Sequence, residues 1–133
     1  MKQIKACLEV GKDGYGVSFE EIPNVFGFGE TVDEAKADAR NAIETFIAAL
    51  TRCGQPVPEV LQEPYELVFE FDVEALLKHI DGIVTKTALA KVTGINVTQL
   101  CHYSSGLKKP RKEQRERIIS GIRKLGNELL SVF

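Results

Sequence analysis

The sequence predicts an α+β chain, with a β-β-β-α-β layer over residues 1–71 followed by an all-helical domain over residues 72–133. Apolar and polar residues alternate near the N-terminus and again around residue 70, which is the period of half-buried strands. Between those stretches, and again after residue 72, apolar residues recur at three- and four-residue spacing, which is typical of helices with one buried face. Strands followed by a separate run of helices favour the α+β class.

The first two strands are predicted to form a hairpin, and a third short strand follows them. Residues 4–10 alternate between apolar and polar side chains, and the glycine-bounded residues 11–14 supply hairpin turn chemistry. Residues 15–19 form the returning strand. After a corner at residues 22–24, Phe and Gly alternate over residues 26–29 in a third short strand.

A helix and a fourth strand complete the layer. Thr31 followed by Glu34 is a capping box, which predicts a helix start. One apolar face then runs to Leu50, and Gly54 is placed to end the helix. The proline-rich residues 55–58 predict an extended connection to a strand over residues 65–71.

The run GETVDEAKADARNAIETFIAAL, with GQPVPE behind it, resembles the N-terminal domain of HicB-type antitoxins. The resemblance covers roughly residues 3–71 and implies a reduced version of the ribonuclease H fold. The family's Pro-Asp-x-Pro-Gly corner is Glu-Glu-Ile-Pro-Asn here (residues 20–24), so that Pro23 is kept and the first proline and the glycine are not. Because that corner belongs to a partner surface in the family, the resemblance implies toxin contacts at Glu20, Glu21 and Glu30.

Residues 86–110, KTALAKVTGINVTQLCHYSSGLKKP, predict two short helices joined by a glycine turn and followed by a basic loop. Gly94 supplies the left-handed backbone that ends the first helix, and Asn96 can cap the second. Leu89, Ile95 and the pair Leu100/Tyr103 are spaced to share a small core. This spacing is what a helix-turn-helix needs, and it resembles the motif of phage repressors of the Cro/cI type.

That resemblance implies DNA binding by the residues left outside the core. We expect four polar side chains at the second helix to contact base edges: Asn96, Thr98, Gln99 and His102. Four basic side chains are positioned for phosphates: Lys86, Lys108, Lys109 and Arg111. The alternative is a pair of packed helices that touches no nucleic acid.

The flanking helices have apolar faces of their own. Asp72 is a suitable cap for a helix over residues 72–81, which would pack behind the motif. After Pro110 a long helix carries a wide apolar stripe over residues 118–130. That stripe either mediates a homodimer or higher homo-oligomer, or only closes the core of the domain.

Charge divides the chain in two. Residues 1–70 carry six Lys/Arg against thirteen Asp/Glu, whereas residues 85–133 carry ten against three. A basic half attracts a phosphate backbone, and an acidic half would be repelled by it. The acidic half therefore either faces a basic protein or is an ordinary solvated surface.

No chemistry-bearing constellation stands out, so we expect no enzyme activity, no cofactor and no metal. The carboxylates available for ribonuclease H chemistry, Asp13 with Glu20, Glu21 and Glu30, fall in turns and corners instead of mid-strand. Three widely spaced cysteines predict free thiols in a reducing compartment. With no apolar run near 20 residues and no signal-peptide pattern, a cytoplasmic protein is expected.

These observations favour an antitoxin that masks a small basic RNA-cleaving toxin resembling HicA and represses its own operon through operator DNA. One alternative is a stand-alone transcriptional regulator whose N-terminal module binds another protein or a small ligand. A second is a catalytic nuclease fused to a DNA-binding domain.

Overall fold

The computed structural model describes residues 1–132, which form two compact units that meet in sequence at residues 72 and 73. The N-terminal unit contains β1 (Lys2–Val10), β2 (Tyr15–Phe19), β3 (Phe26–Gly29), α1 (Val32–Arg52), a 3₁₀ turn (Glu59–Leu61) and β4 (Tyr65–Phe71). The C-terminal unit contains α2 (Val73–Ile80), α3 (Lys86–Thr93), α4 (Val97–Ser104) and α5 (Lys112–Leu130). The predicted α+β class is confirmed. The 3₁₀ turn, which buries Leu61, was not predicted.

The N-terminal unit is a four-stranded sheet in the order β3-β2-β1-β4. β1, β2 and β3 form an antiparallel meander closed by a backbone bond from Gly11 N–H to the carbonyl of Gly14. β4 pairs parallel to β1, and α1 lies in the crossover that a parallel strand requires. The side chains of Ile4, Ala6 and Leu8 are buried, so β1 supplies the centre of this core.

Local signals set both ends of α1. The Thr31 hydroxyl accepts from the Glu34 N–H at 3.1 Å, and the Glu34 carboxylate accepts from the Glu30 N–H at 3.1 Å. At the other end Gly54 has a φ of 70°, and the Gln55 N–H bonds back to the carbonyl of Leu50. Both bounds agree with the positions predicted for cap and stop.

The third strand places its glycines, not its phenylalanines, against α1. A Cβ atom at Gly27 would lie 2.8 Å from the Cα of Ala39, and one at Gly29 would meet the backbone of Glu34. The helix therefore rests directly on the strand. Because side chains alternate along a strand, Phe26 and Phe28 point to the opposite face of the sheet.

Six helical and turn side chains form the centre of the C-terminal unit together with Ile118 of α5: Val73, Leu77, Leu89, Ile95, Leu100 and Tyr103. Ile122 packs against this cluster, whereas Leu129 and Leu130 at the end of α5 are exposed. The first part of the predicted apolar stripe thus closes the core, and its end does not. Within residues 1–132, no helix combines the length and the apolar character that a bilayer crossing requires.

We predict that Gly27→Ala lowers the free energy of unfolding by about 1–3 kcal/mol, because the added methyl group would displace α1 from the sheet. Denaturant unfolding followed by circular dichroism measures the change. Gly16→Ala, in the neighbouring strand, is the matched control, since its Cβ would meet nothing closer than the Gly27 carbonyl at 4.0 Å. We expect that control to be neutral or stabilising by up to about 1 kcal/mol. Equal losses in both variants would contradict the contact.

Candidate functional site

The turn between α3 and α4 has the backbone that the sequence predicts. Gly94 ends α3 with a φ of 74°, and its N–H bonds to the carbonyl of Ala90. Asn96 then caps α4, because its side-chain oxygen accepts from the Gln99 N–H at 2.8 Å. Only two residues thus separate the left-handed glycine from the first residue of α4.

A buried threonine stabilises this turn from inside. The Thr93 hydroxyl donates to the carbonyl of Leu89 at 2.7 Å and accepts from the Ile95 N–H at 3.2 Å. Both partners lie beside the apolar cluster, where an unsatisfied polar group is costly. The hydroxyl therefore connects the end of α3 to the chain that enters α4.

α5 holds the same turn from outside. The Arg117 guanidinium donates from Nη2 to the carbonyl of Gly94 at 3.0 Å and from Nη1 to the Gln114 side chain at 3.2 Å. Gly121, one turn further along α5, is buried, and a Cβ there would lie 2.7 Å from the carbonyl of Val92. Absence of a side chain at Gly121 thus allows α5 to approach the end of α3.

The four predicted base-contacting residues differ in exposure. Asn96 and Thr98 are exposed, whereas Gln99 and His102 are half-buried. The Gln99 amide donates from Nε2 to the hydroxyl of Tyr103 at 2.8 Å. His102 has its Nδ1 buried, with no hydrogen-bond partner for that atom in the described part of the chain. Gln99 and Tyr103, one helical turn apart on α4, therefore orient each other through their hydrogen bond.

Three of the four predicted phosphate contacts lie together. A cleft of about 670 Å³ is lined by Gln99, Tyr103, Lys108, Lys109, Arg111, Glu113, Gln114 and Arg117. Its wall thus joins α4, the basic loop and the start of α5. Lys86 differs, because its ammonium pairs with Asp81 at 3.2 Å and its side chain is only 16% exposed.

Several residues of this cleft were missed in the sequence. Tyr103 was assigned to the core alone, yet its position four residues after Gln99 on a helix could have indicated the contact. Arg117 and Gln114 gave no such signal. The bond from Arg117 to Gly94 spans 23 residues and depends on how α5 packs.

The three carboxylates assigned to a toxin surface do not form one cluster. Glu20 and Glu21 are exposed in the bend after β2, and Glu21 pairs with Lys2 at 3.8 Å. Glu30 follows β3, at the opposite end of the β2–β3 pair, as the pairing of Ser18 with Phe26 and of Tyr15 with Gly29 requires.

Residues 1–132 show neither a metal-binding cluster nor a disulfide bond. No group of three or more His, Cys, Asp or Glu side chains lies close enough together there to hold a metal ion. Cys7, Cys53 and Cys101 are free cysteines. Burial first, and then the neighbouring carboxylate of Glu9, raises the pKa of the Cys7 thiol, which favours its neutral form.

Comparison with known proteins identifies a matching family and a similar phage protein. Residues 5–100 match the model of a family described as HicB-like antitoxin of bacterial toxin-antitoxin system. The match extends from β1 into α4. A protein of Haemophilus phage HP1 (strain HP1c1), described as "Uncharacterized 14.9 kDa protein in rep-hol intergenic region", is 34% identical over 53 residues. That stretch is 40% of each chain, so the similarity spans less than half of the relative.

We predict that Thr93→Val lowers the free energy of unfolding by about 1–3 kcal/mol, because it leaves the Ile95 N–H without its acceptor. Thermal unfolding measures the loss. Thr98→Val, the same substitution at an exposed position of α4, is the control and should stay within about 0.5 kcal/mol of wild type. A Thr93→Val protein as stable as its control would show that the hydroxyl does not hold the turn.

Proposed function

This chain belongs to the HicB-like antitoxins of bacterial toxin–antitoxin systems, and we propose that it masks an RNA-cleaving toxin and represses its own operon. Membership of the family implies a toxin partner and indicates a regulatory, non-catalytic protein. The proposal assigns the toxin to the N-terminal unit and operator DNA to the C-terminal unit. Both targets lie in the cytoplasm, which is the location we propose.

One observation carries the DNA assignment: Gln99, close to the exposed N-terminal end of α4, lines the same cleft as a cluster of cations. Asn96 and Thr98 are exposed at that end, and Lys108, Lys109 and Arg111 line the adjoining cleft. A helix of eight residues fits the major groove, where its first residues meet base edges. Cations beside it would meet the phosphates that flank the groove.

Roles within this interface follow from the geometry. Gln99 is the strongest candidate for base readout, because the bond to Tyr103 holds its amide in one orientation and leaves the amide oxygen as an acceptor. Asn96, Thr98 and His102 are assigned to the same surface. Lys86 keeps its proposed phosphate contact, for which its ion pair with Asp81 would have to be shared or broken.

We propose a dimer because the reading surface is small. One helix of eight residues contacts too few base pairs for useful specificity, so operators of such repressors are read as two half-sites. Leu129 and Leu130, which are 66% and 83% exposed at the end of α5, are the apolar side chains we assign to the contact between copies.

We predict that Gln99→Ala relaxes sequence preference by about 1–3 kcal/mol at one base pair, because a directional contact to a base edge is removed. Lys108→Ala should instead weaken binding to every sequence and flatten the dependence of affinity on salt, because one phosphate contact is lost. Competition gel shifts against single-base operator variants, at several salt concentrations, separate the two effects. Unchanged discrimination by the Gln99→Ala protein would remove Gln99 from base readout.

The toxin assignment is tested with the product of the neighbouring reading frame. Expression of that product alone should arrest growth and cleave RNA, and co-expression of this chain should restore growth and yield a complex. A Lys108→Ala chain is the control, since it should bind the operator more weakly and still rescue growth fully. No complex and no rescue would remove the antitoxin mechanism and leave a stand-alone DNA-binding regulator.

A further inference from the structure

One face of the N-terminal sheet is covered by α1, and the other face is open. From the strand register, the open face runs from aromatic to acidic across the sheet. Phe26 and Phe28 on β3 are 67% and 49% exposed. Exposed pairs of large aromatic side chains on an otherwise polar surface indicate a contact site.

The middle of this open face is shallow. Gly16 lies opposite Phe28, and Ser18 lies opposite Phe26. A Cβ atom at Gly16 would meet nothing closer than the Gly27 carbonyl oxygen at 4.0 Å, so the space above it is free. The edge of the Phe28 ring lies beside Gly11 in the hairpin turn, where a Cβ would be 3.4 Å from the ring. A partner group can therefore lie flat beside the two rings.

Carboxylates border the shallow region on its other side. Glu9 lies opposite Gly16 on β1, and Glu70 of β4 lies in the next row, opposite Cys7. Lys5, the basic side chain among the described strand residues of this face, pairs with Glu70 at 3.8 Å. Glu66 continues the acidic border along β4. The surface thus combines an apolar edge with a net negative one.

We propose that this open face is the toxin-docking surface, with an apolar side chain of the toxin on Phe26 and Phe28 and toxin cations on Glu9 and Glu70. The proposal rests on the proposed masking of an RNA-cleaving toxin. Such a toxin must carry cations that hold RNA phosphates. Carboxylates that take up those cations compete directly with RNA, so docking and inhibition are the same event.

Other occupants fit the face less well. Exposed aromatics on a four-stranded sheet also stack bases in RNA-binding modules. The carboxylates at Glu9, Glu66 and Glu70 would repel the phosphates of such a ligand. A second copy of the face would bring negative charge against negative charge. A basic protein satisfies both the apolar and the acidic edges.

The test measures the affinity of the purified toxin, the product of the neighbouring reading frame, for variants of the full chain. Phe26→Ser should weaken binding at least about 30-fold, as truncation of an interface anchor does. Ile83→Ser is the matched control, because Ile83 is 75% exposed in the C-terminal unit, and it should bind as wild type does. Thermal unfolding should show both variants folded, since each side chain is largely exposed.

A charge pair of variants separates electrostatics from packing. Glu9→Gln should weaken toxin binding at low salt by about 10-fold, and the difference should shrink as salt is added. Glu63→Gln, at an exposed glutamate in the turn before β4, should have no effect.

Three outcomes would overturn the proposal in different ways. Wild-type binding that Phe26→Ser and Glu9→Gln leave unchanged removes this surface and keeps the antitoxin function. Absence of any wild-type complex removes both. Binding of a labelled single-stranded RNA to the wild-type chain, lost in Phe26→Ser, replaces the toxin with RNA as the ligand of this face.

Discussion

The contact between α1 and β3 determines what the N-terminal unit presents to its surroundings. Gly27 and Gly29 leave no room for side chains between strand and helix, because a Cβ atom at either position would overlap backbone atoms of Ala39 or Glu34. Because side chains alternate between the two faces of a strand, the phenylalanines next to these glycines point away from the helix. Phe26 and Phe28 are exposed because the helix lies close to the glycine face of the strand. Larger side chains at the two glycines would move the helix away from the sheet.

A comparable constraint orders the C-terminal unit. Gly121 lets α5 approach the end of α3, and that approach allows Arg117 to reach the carbonyl of Gly94. Thr93 bonds to the same turn from the buried side. Groups on both α3 and α5 therefore hold the turn from which α4 begins. The base readout that we propose would depend on this turn, because side chains on α4 reach a groove only if α4 is held at its end.

The sequence predicts what depends on neighbouring residues. The Thr31–Glu34 capping box, the left-handed Gly94 and the Asn96 cap each involve residues within a few positions of one another, so their geometry follows from spacing. What depends on packing was missed. The alternation of Phe with Gly predicts two different faces of β3, but it does not tell which face meets the helix. Large apolar side chains are usually buried, so the pattern alone suggests that the phenylalanines face the helix. The separation of Glu20 from Glu30 likewise appears only with the antiparallel register.

Opposite charges on the two units agree with the separate ligands that we propose for them. A surface rich in carboxylates attracts a basic RNA-binding protein and repels nucleic acid, and a basic surface does the reverse. Residues 1–70 and residues 85–133 carry these opposite excesses within one short chain. An RNA-binding toxin would be basic, whereas operator DNA is acidic. Neither would therefore be attracted to the unit that we assign to the other. Segregation of charge along the chain would thus supply a specificity that neither Phe26 nor Gln99 could supply through its own contacts.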